Sequence, residues 1–143
     1  MRSKRGFTLV ELMVVILIVA ILAAVAIPIL RGRIDDAKWS EGRAMMGSIA
    51  TSIRAWCAEK GPDYDDGTDP VYPLTLADLG FYTNDLMGTY FEDTDFSFSV
   101  TACGPPPGFT VVCTPTAKDN HPGVPATYTL TGSATTGEST WDP

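Results

Sequence analysis

Histidine is almost missing: His121 is the single imidazole in 143 residues. A multi-histidine metal site cannot be built from it, and general-base catalysis loses its usual carrier. Its setting, Asp119-Asn120-His121-Pro122, holds no cysteine or second histidine and reads as loop. Basic residues nearly vanish after position 60, where Lys118 stands alone against twelve carboxylates. A segment that acidic repels phosphate, so no direct nucleic-acid site is expected there. Charge of either sign is absent from Leu12 to Leu30. Aromatic rings are scarce early, Phe7 being the only one before Trp39, which leaves too few to stack as a conducting column along that stretch. Neither a phosphate-binding glycine loop nor a G-x-S-x-G elbow occurs, and there is no Asn-x-Ser/Thr glycosylation acceptor. No internal repeat is visible. The expectation is a non-enzyme with no cofactor and no metal.

What is present is sharply zoned. Ten Lys and Arg oppose seventeen Asp and Glu, for a net charge of −7. Arg2, Lys4 and Arg5 make the first six residues strongly basic. Glu11 is the only charge from residue 7 to residue 30, and residues 31–60 are mildly basic. The nineteen uncharged residues Leu12–Leu30 would rise roughly 28 Å as a helix, close to the hydrocarbon thickness of a bilayer. A soluble core helix is not apolar on every side for that length. The preceding positive charges hold the N-terminus in the cytoplasm and send residue 31 onward across the membrane.

Two processing readings follow. Ala24-Val25-Ala26 has the small-x-small form of a signal-peptidase site, which would release a secreted binding domain beginning at Ile27. Glu11 argues against it, because a carboxylate in an apolar run costs on the order of 3 kcal/mol when central and serves no purpose in a signal core. The run is also longer than the 7–15 apolar residues, or about that, of such cores.

The other reading rests on Lys4-Arg5-Gly6-Phe7-Thr8-Leu9-Val10-Glu11-Leu12-Met13, followed by an aliphatic helix and Pro28. This stretch resembles the start of the type IV pilin and pseudopilin family, closely over the first 30 residues or so and loosely as far as Lys60. The resemblance implies a leader at residues 1–6, cut between Gly6 and Phe7 by a prepilin peptidase that also methylates the Phe7 nitrogen. It implies a hydrophobic transmembrane and filament-core helix over 7–30, interrupted at Pro28. Tyr72–Gly80 is similar to a segment common after the long helix in that family, where the chain returns to the sheet. The new amine at Phe7 carries a positive charge, and Glu11 lies one helical turn along the same face. Neither charge is tolerated alone in apolar surroundings, so pairing Glu11 of one subunit with the Phe7 amine of a neighbour would satisfy both and fix their stagger.

Beyond the membrane segment the pattern stays helical but becomes two-sided. Trp39, Met46, Ile49, Ile53 and Trp56 form a stripe flanked by Met45, Ala50 and Cys57. This predicts an amphipathic half of the long helix over 31–60, with Gly47 offering a bend or a close contact and Gly61-Pro62 ending it. Residues 61–143 then form a globular head, opening on a loop region. Asp63, Asp65, Asp66 and Asp69 cluster there but lack the final Glu of a calcium-binding loop, so a solvated acidic turn is expected. Alternation predicts strands at Phe96–Ala102, Phe109–Cys113 and Ala126–Leu130, with a fourth near Thr140-Trp141. The fold class is α+β, one long helix packed on a small antiparallel sheet.

If the head faces the oxidising side, the cysteines can pair. Cys103 and Cys113 flank the turn Gly104–Gly108 and are the first candidates for a disulfide, with Cys57 to either of them the alternative. The Ser/Thr-rich stretch 127–140 reads as solvated surface, with O-glycosylation the other reading. Taken together, the residues and the resemblance imply a self-assembling structural subunit, homo-oligomeric in a helical filament. It would reside in the cytoplasmic membrane as precursor, meet the pilus assembly machinery there, and end on the cell surface as a pilus. A pseudopilin of a type II secretion system is the alternative within the family.

Overall fold

The computed structural model describes residues 6–61 and 74–143. Residues Met1–Arg5 of the expected leader, the acidic cluster expected as a turn at 63–69, and Tyr72 and Pro73 lie outside them. The chain divides into two compact units, Met1–Ile34 and Asp35–Pro143. One helix, α1 (Leu9–Lys60), belongs to both.

In the first unit α1 is exposed on all sides, as a uniformly aliphatic sequence without a partner must be. In the single chain Pro28 sits inside an unbroken helix. A proline forfeits one N–H bond and crowds the carbonyl four residues back. The strongly apolar turns on either side keep their own bonds and carry the helix across in the single chain.

In the second unit the helix stripe becomes a core. Trp39, Met46, Ile49, Ala50, Ile53 and Cys57 are buried, together with Gly42. Trp56 is only half-buried, with the Lys60 ammonium 5.9 Å from its ring centroid. Steps of three and four residues lead from position 46 through 50 and 53 to 57, so Cys57 takes the inward place and Trp56 sits about 100° round the helix. Gly42, not Gly47, makes the close contact: a Cβ there would lie 2.7 Å from Phe91 Cζ, whereas one on Gly47 would meet nothing. The helix ends at Gly61, whose φ of +86° gives the left-handed cap while its N–H donates to the Cys57 carbonyl at 2.9 Å.

A tight turn follows in the described residues after the gap, at 76–80. Both the hydroxyl and the N–H of Thr75 donate to Asp78, which holds that carboxyl below its ordinary range, and Leu79 is buried behind it. Four strands make an antiparallel meander, β1 (Phe96–Ala102), β2 (Gly108–Cys113), β3 (Tyr128–Gly132) and β4 (Ser139–Asp142), in that spatial order. Phe96, Val100, Phe109, Val111 and Leu130 face the helix and are buried. Ser97, Ser99 and Thr101 point away, as the alternation requires. Trp39 anchors the core: its ring centroid lies 5.3 Å from that of Phe91 and 4.8 Å from that of Tyr128, and its indole N–H donates to the Pro125 carbonyl at 3.1 Å.

The buried carboxylate of Asp95 joins the segments before β1 and after β2. It accepts N–H bonds from Glu92, Thr116 and Ala117 at 2.9, 2.8 and 3.1 Å. Three donors to one carboxylate offset much of what its burial costs.

The disulfide joins Cys57 to Cys103, with Cα atoms 4.8 Å apart, and leaves Cys113 free and buried. This is the alternative pairing, and strand register explains the correction. Ala102 is opposite Gly108 while Phe96 is opposite Cys113. Cys103 is therefore at the turn end of the hairpin and Cys113 at the far end, about five residues or 17 Å along the strand. Burial pushes the Cys113 thiol up to about 12, with the nearby Asp95 charge adding to it.

Three outcomes test this packing. Gly42→Val forces a side chain into the Phe91 ring and is expected to destabilise the head by about 1–3 kcal/mol, read as a fall in thermal midpoint. Peptide mapping without reductant should return a Cys57–Cys103 linked pair. Cys113 should stay unalkylated by iodoacetamide at pH 8, where its thiol is protonated, until denaturant is added.

Candidate functional site

The sequence concentrates its unusual residues at the start of α1, and the structure gives that start a defined geometry. Phe7 precedes the helix and is 75% exposed. Thr8 is the residue on which the helix is built. Its hydroxyl accepts the Glu11 N–H at 3.2 Å and its carbonyl accepts the Leu12 N–H at 3.3 Å. In return the Glu11 carboxylate accepts the Thr8 N–H at 3.4 Å and the Thr8 hydroxyl at 3.3 Å. This is a reciprocal capping box, in which threonine and glutamate three apart satisfy donors that the first turn leaves open. The negative charge also lies at the end of the helix where the aligned peptide dipoles favour it.

Thr8 was not singled out in the sequence, although its signal was there: a threonine followed three residues later by glutamate and then an apolar run. The structure joins Thr8 to Glu11 in the first turn, while Gly6 and Phe7 precede the helix. The Phe7 nitrogen is a peptide amide here, and the Glu11 carboxylate is held by Thr8 of the same chain. The carboxylate remains exposed at the rim of the apolar surface.

That surface is the other half of the site. Large aliphatic side chains from Leu9 to Leu30 stand about half exposed or more. An 18-residue window of α1 reaches a mean hydropathy of 3.2 with none of it buried, which is long and apolar enough to cross a membrane. Apolar surface on this scale needs covering, by lipid or by other helices. The remaining candidates lie elsewhere: Pro28 within the exposed helix, Cys57 and Cys103 bonded at one end of the head core, Cys113 apart from them. Among the described residues no three His, Cys, Asp or Glu side chains are grouped to hold a metal ion. His121 turns its Nδ1 toward the Pro122 carbonyl at 2.8 Å, and its own carbonyl accepts from Lys38. The N-terminal arrangement presents an exposed Gly6–Phe7 peptide ahead of a capped carboxylate and an apolar rod.

Comparison with known proteins bears on this same segment. Residues 1–27 match the family described as the prokaryotic N-terminal methylation motif. A fimbrial protein of Moraxella nonliquefaciens is 41% identical over 69 residues, covering 48% of this chain and 44% of that protein. A type IV major fimbrial protein FimA of Dichelobacter nodosus is 32% identical over 117 residues, 78% of this chain and 66% of FimA. A type II secretion system core protein G of Pseudomonas aeruginosa is 40% identical over 52 residues, 36% of this chain and 37% of that protein. The chain spans about half the length of the first two fimbrial relatives it matches. No solved structure matches it significantly. Because the likeness to FimA spans 78% of the chain, far more than the N-terminal motif at 1–27, one apolar segment cannot account for it, and the chain belongs to the type IV pilin and pseudopilin family.

Proposed function

We propose that this chain is a structural subunit of a type IV pilus-like filament, cut between Gly6 and Phe7, N-methylated at Phe7 and polymerised through its N-terminal helix. The observation that carries the reading is an apolar rod, exposed on every side, whose one charge before Arg31 is Glu11, a single turn from the new N-terminus. On this reading residues 1–6 are the leader, 7–30 the membrane and filament-core helix, 31–60 the amphipathic half and 61–143 the head. A prepilin peptidase removes the leader and methylates the amine. The subunit waits in the cytoplasmic membrane, is taken up by the assembly machinery there, and is displayed on the cell surface.

Cutting after Gly6 changes what Glu11 can do. The Thr8 amide and hydroxyl remain, and a cationic amine is added one residue earlier. A charged partner binds a carboxylate more strongly than a neutral donor does. Leaving lipid for a helix bundle exchanges one apolar solvent for another, so packing of the aliphatic surface and this ion pair must supply the specificity of stacking. In the packed filament the helix bond already missing at Pro28 makes Ala24–Arg31 the stretch that loosens or extends.

A secretion pseudopilin is the second reading, favoured by the likeness to core protein G. That likeness spans 36% of the chain, against 78% for FimA, which favours the pilus.

Mass spectrometry of the mature chain is expected to find an N-terminal N-methylphenylalanine derived from Phe7, and a start at Ile27 would overturn the reading. Glu11→Ala is expected to insert and be processed normally while filament yield, counted by electron microscopy of sheared cells, drops at least tenfold. Wild-type yield from that variant would contradict the pairing.

A further inference from the structure

Four arginines fall among the described residues, and they divide into two kinds. Arg43 lies 5.5 Å from the Tyr128 ring centroid, and Arg54 lies 4.9 Å from that of Phe109 while donating to the Ser139 hydroxyl at 2.6 Å. Both are spent on the head. Arg31 and Arg33 are exposed, and neither has a hydrogen bond, ion pair or ring contact among the described residues. They stand directly after the uncharged run Leu12–Leu30.

Spacing gives the pair a definite position. From Glu11 to Arg31 the helix rises about 30 Å, the thickness of the hydrocarbon layer. With Glu11 at the cytoplasmic rim, Arg31 and Arg33 reach the opposite rim, at the level of the lipid phosphates. Long arginine side chains keep their stems on apolar surface and their guanidinium groups in the polar layer. Two residues apart on a helix is about 200° of rotation, so the two side chains leave on opposite sides. A neighbouring protein would cover one side. Lipid headgroups surround the helix and can engage both.

Processing sharpens the point. Before the cut, Arg2, Lys4 and Arg5 supply the basic flank on the cytoplasmic side; afterwards that flank is a single amine next to Glu11. The basic residues left beside the apolar run are then on the far side. We propose that Arg31 and Arg33 form a phospholipid-binding collar, each guanidinium pairing with a headgroup phosphate of the outer leaflet, and that this collar sets the depth of the processed, unassembled subunit. Guanidinium matches phosphate with two parallel N–H···O bonds of about 2.8 Å, which a lysine would contact only as a point charge. The inference rests on the membrane-inserted subunit described above.

The test uses the full processed chain, labelled with ¹⁵N-arginine and reconstituted in vesicles of phosphatidylethanolamine and phosphatidylglycerol in equal parts. Solid-state ¹⁵N–³¹P dipolar dephasing reports guanidinium–phosphate contact directly. Dephasing is expected in the wild type and should fall to background in R31Q/R33Q, with Arg43 and Arg54 of the head serving as silent internal controls. R31K/R33K should retain the depth of insertion, read from contacts between helix methyls and lipid acyl chains. Methyl–acyl contacts without arginine–phosphate dephasing would overturn the collar alone. Equal dephasing in R31Q/R33Q and wild type would overturn it as well. Absence of methyl–acyl contacts would overturn the membrane-inserted subunit and the collar together.

Discussion

An apolar helix with no polar side cannot be left in water, and everything about this chain is arranged around that constraint. Leu9–Leu30 offers no face on which a compact domain could be laid. Burial within its own chain would need a far larger partner than the 109 residues of the second unit, Asp35–Pro143. Cover has to come from outside, from lipid or from other helices, and going from one to the other exchanges one apolar surrounding for another. The rod carries its charges at its rims, a carboxylate at its start and guanidinium groups just past its end.

Glu11 keeps acceptor capacity beyond its own cap. Within its own subunit it closes a capping box with Thr8, so the helix begins cleanly and the carboxylate is held at its first turn. A carboxylate has two oxygens and about four acceptor sites, and the Thr8 contacts fall on one oxygen, Oε2. Holding its cap therefore does not prevent a carboxylate from meeting a cation elsewhere.

The second unit solves the opposite problem, covering a single stripe with a small sheet. Gly42 lets the Phe91 ring lie against the helix backbone, and Trp39 bridges that ring to Tyr128 on β3. Asp95 ties the chain entering β1 to the chain leaving β2 through three main-chain donors. The disulfide then joins the end of the helix to the end of β1, closing a separation of 46 residues. A loop of that size removes unfolded-state entropy worth about 4 kcal/mol in the chain-entropy picture.

Sequence alone determined the elements whose signals are local. Three- and four-residue apolar spacing gave the buried side of α1 at Trp39, Met46, Ile49 and Ile53, and period-two alternation gave β1, β2 and β3, because each depends only on backbone geometry within one segment. The uncharged length of Leu12–Leu30 and the leader pattern before it were equally readable. Tertiary structure decided whatever depended on two segments meeting. Cys57 rather than Cys113 became the partner of Cys103 because strand register, set across the hairpin, carries Cys113 to the wrong end. Gly42 rather than Gly47 became the contact glycine because only the fold says where Phe91 arrives, and a missing side chain leaves no hydropathy signal of its own. Asp95, one acid among twelve in its part of the chain, became a buried junction because three amides from two distant segments converge on it. Contacts between distant segments are properties of the packed chain, and no periodicity within either segment encodes them.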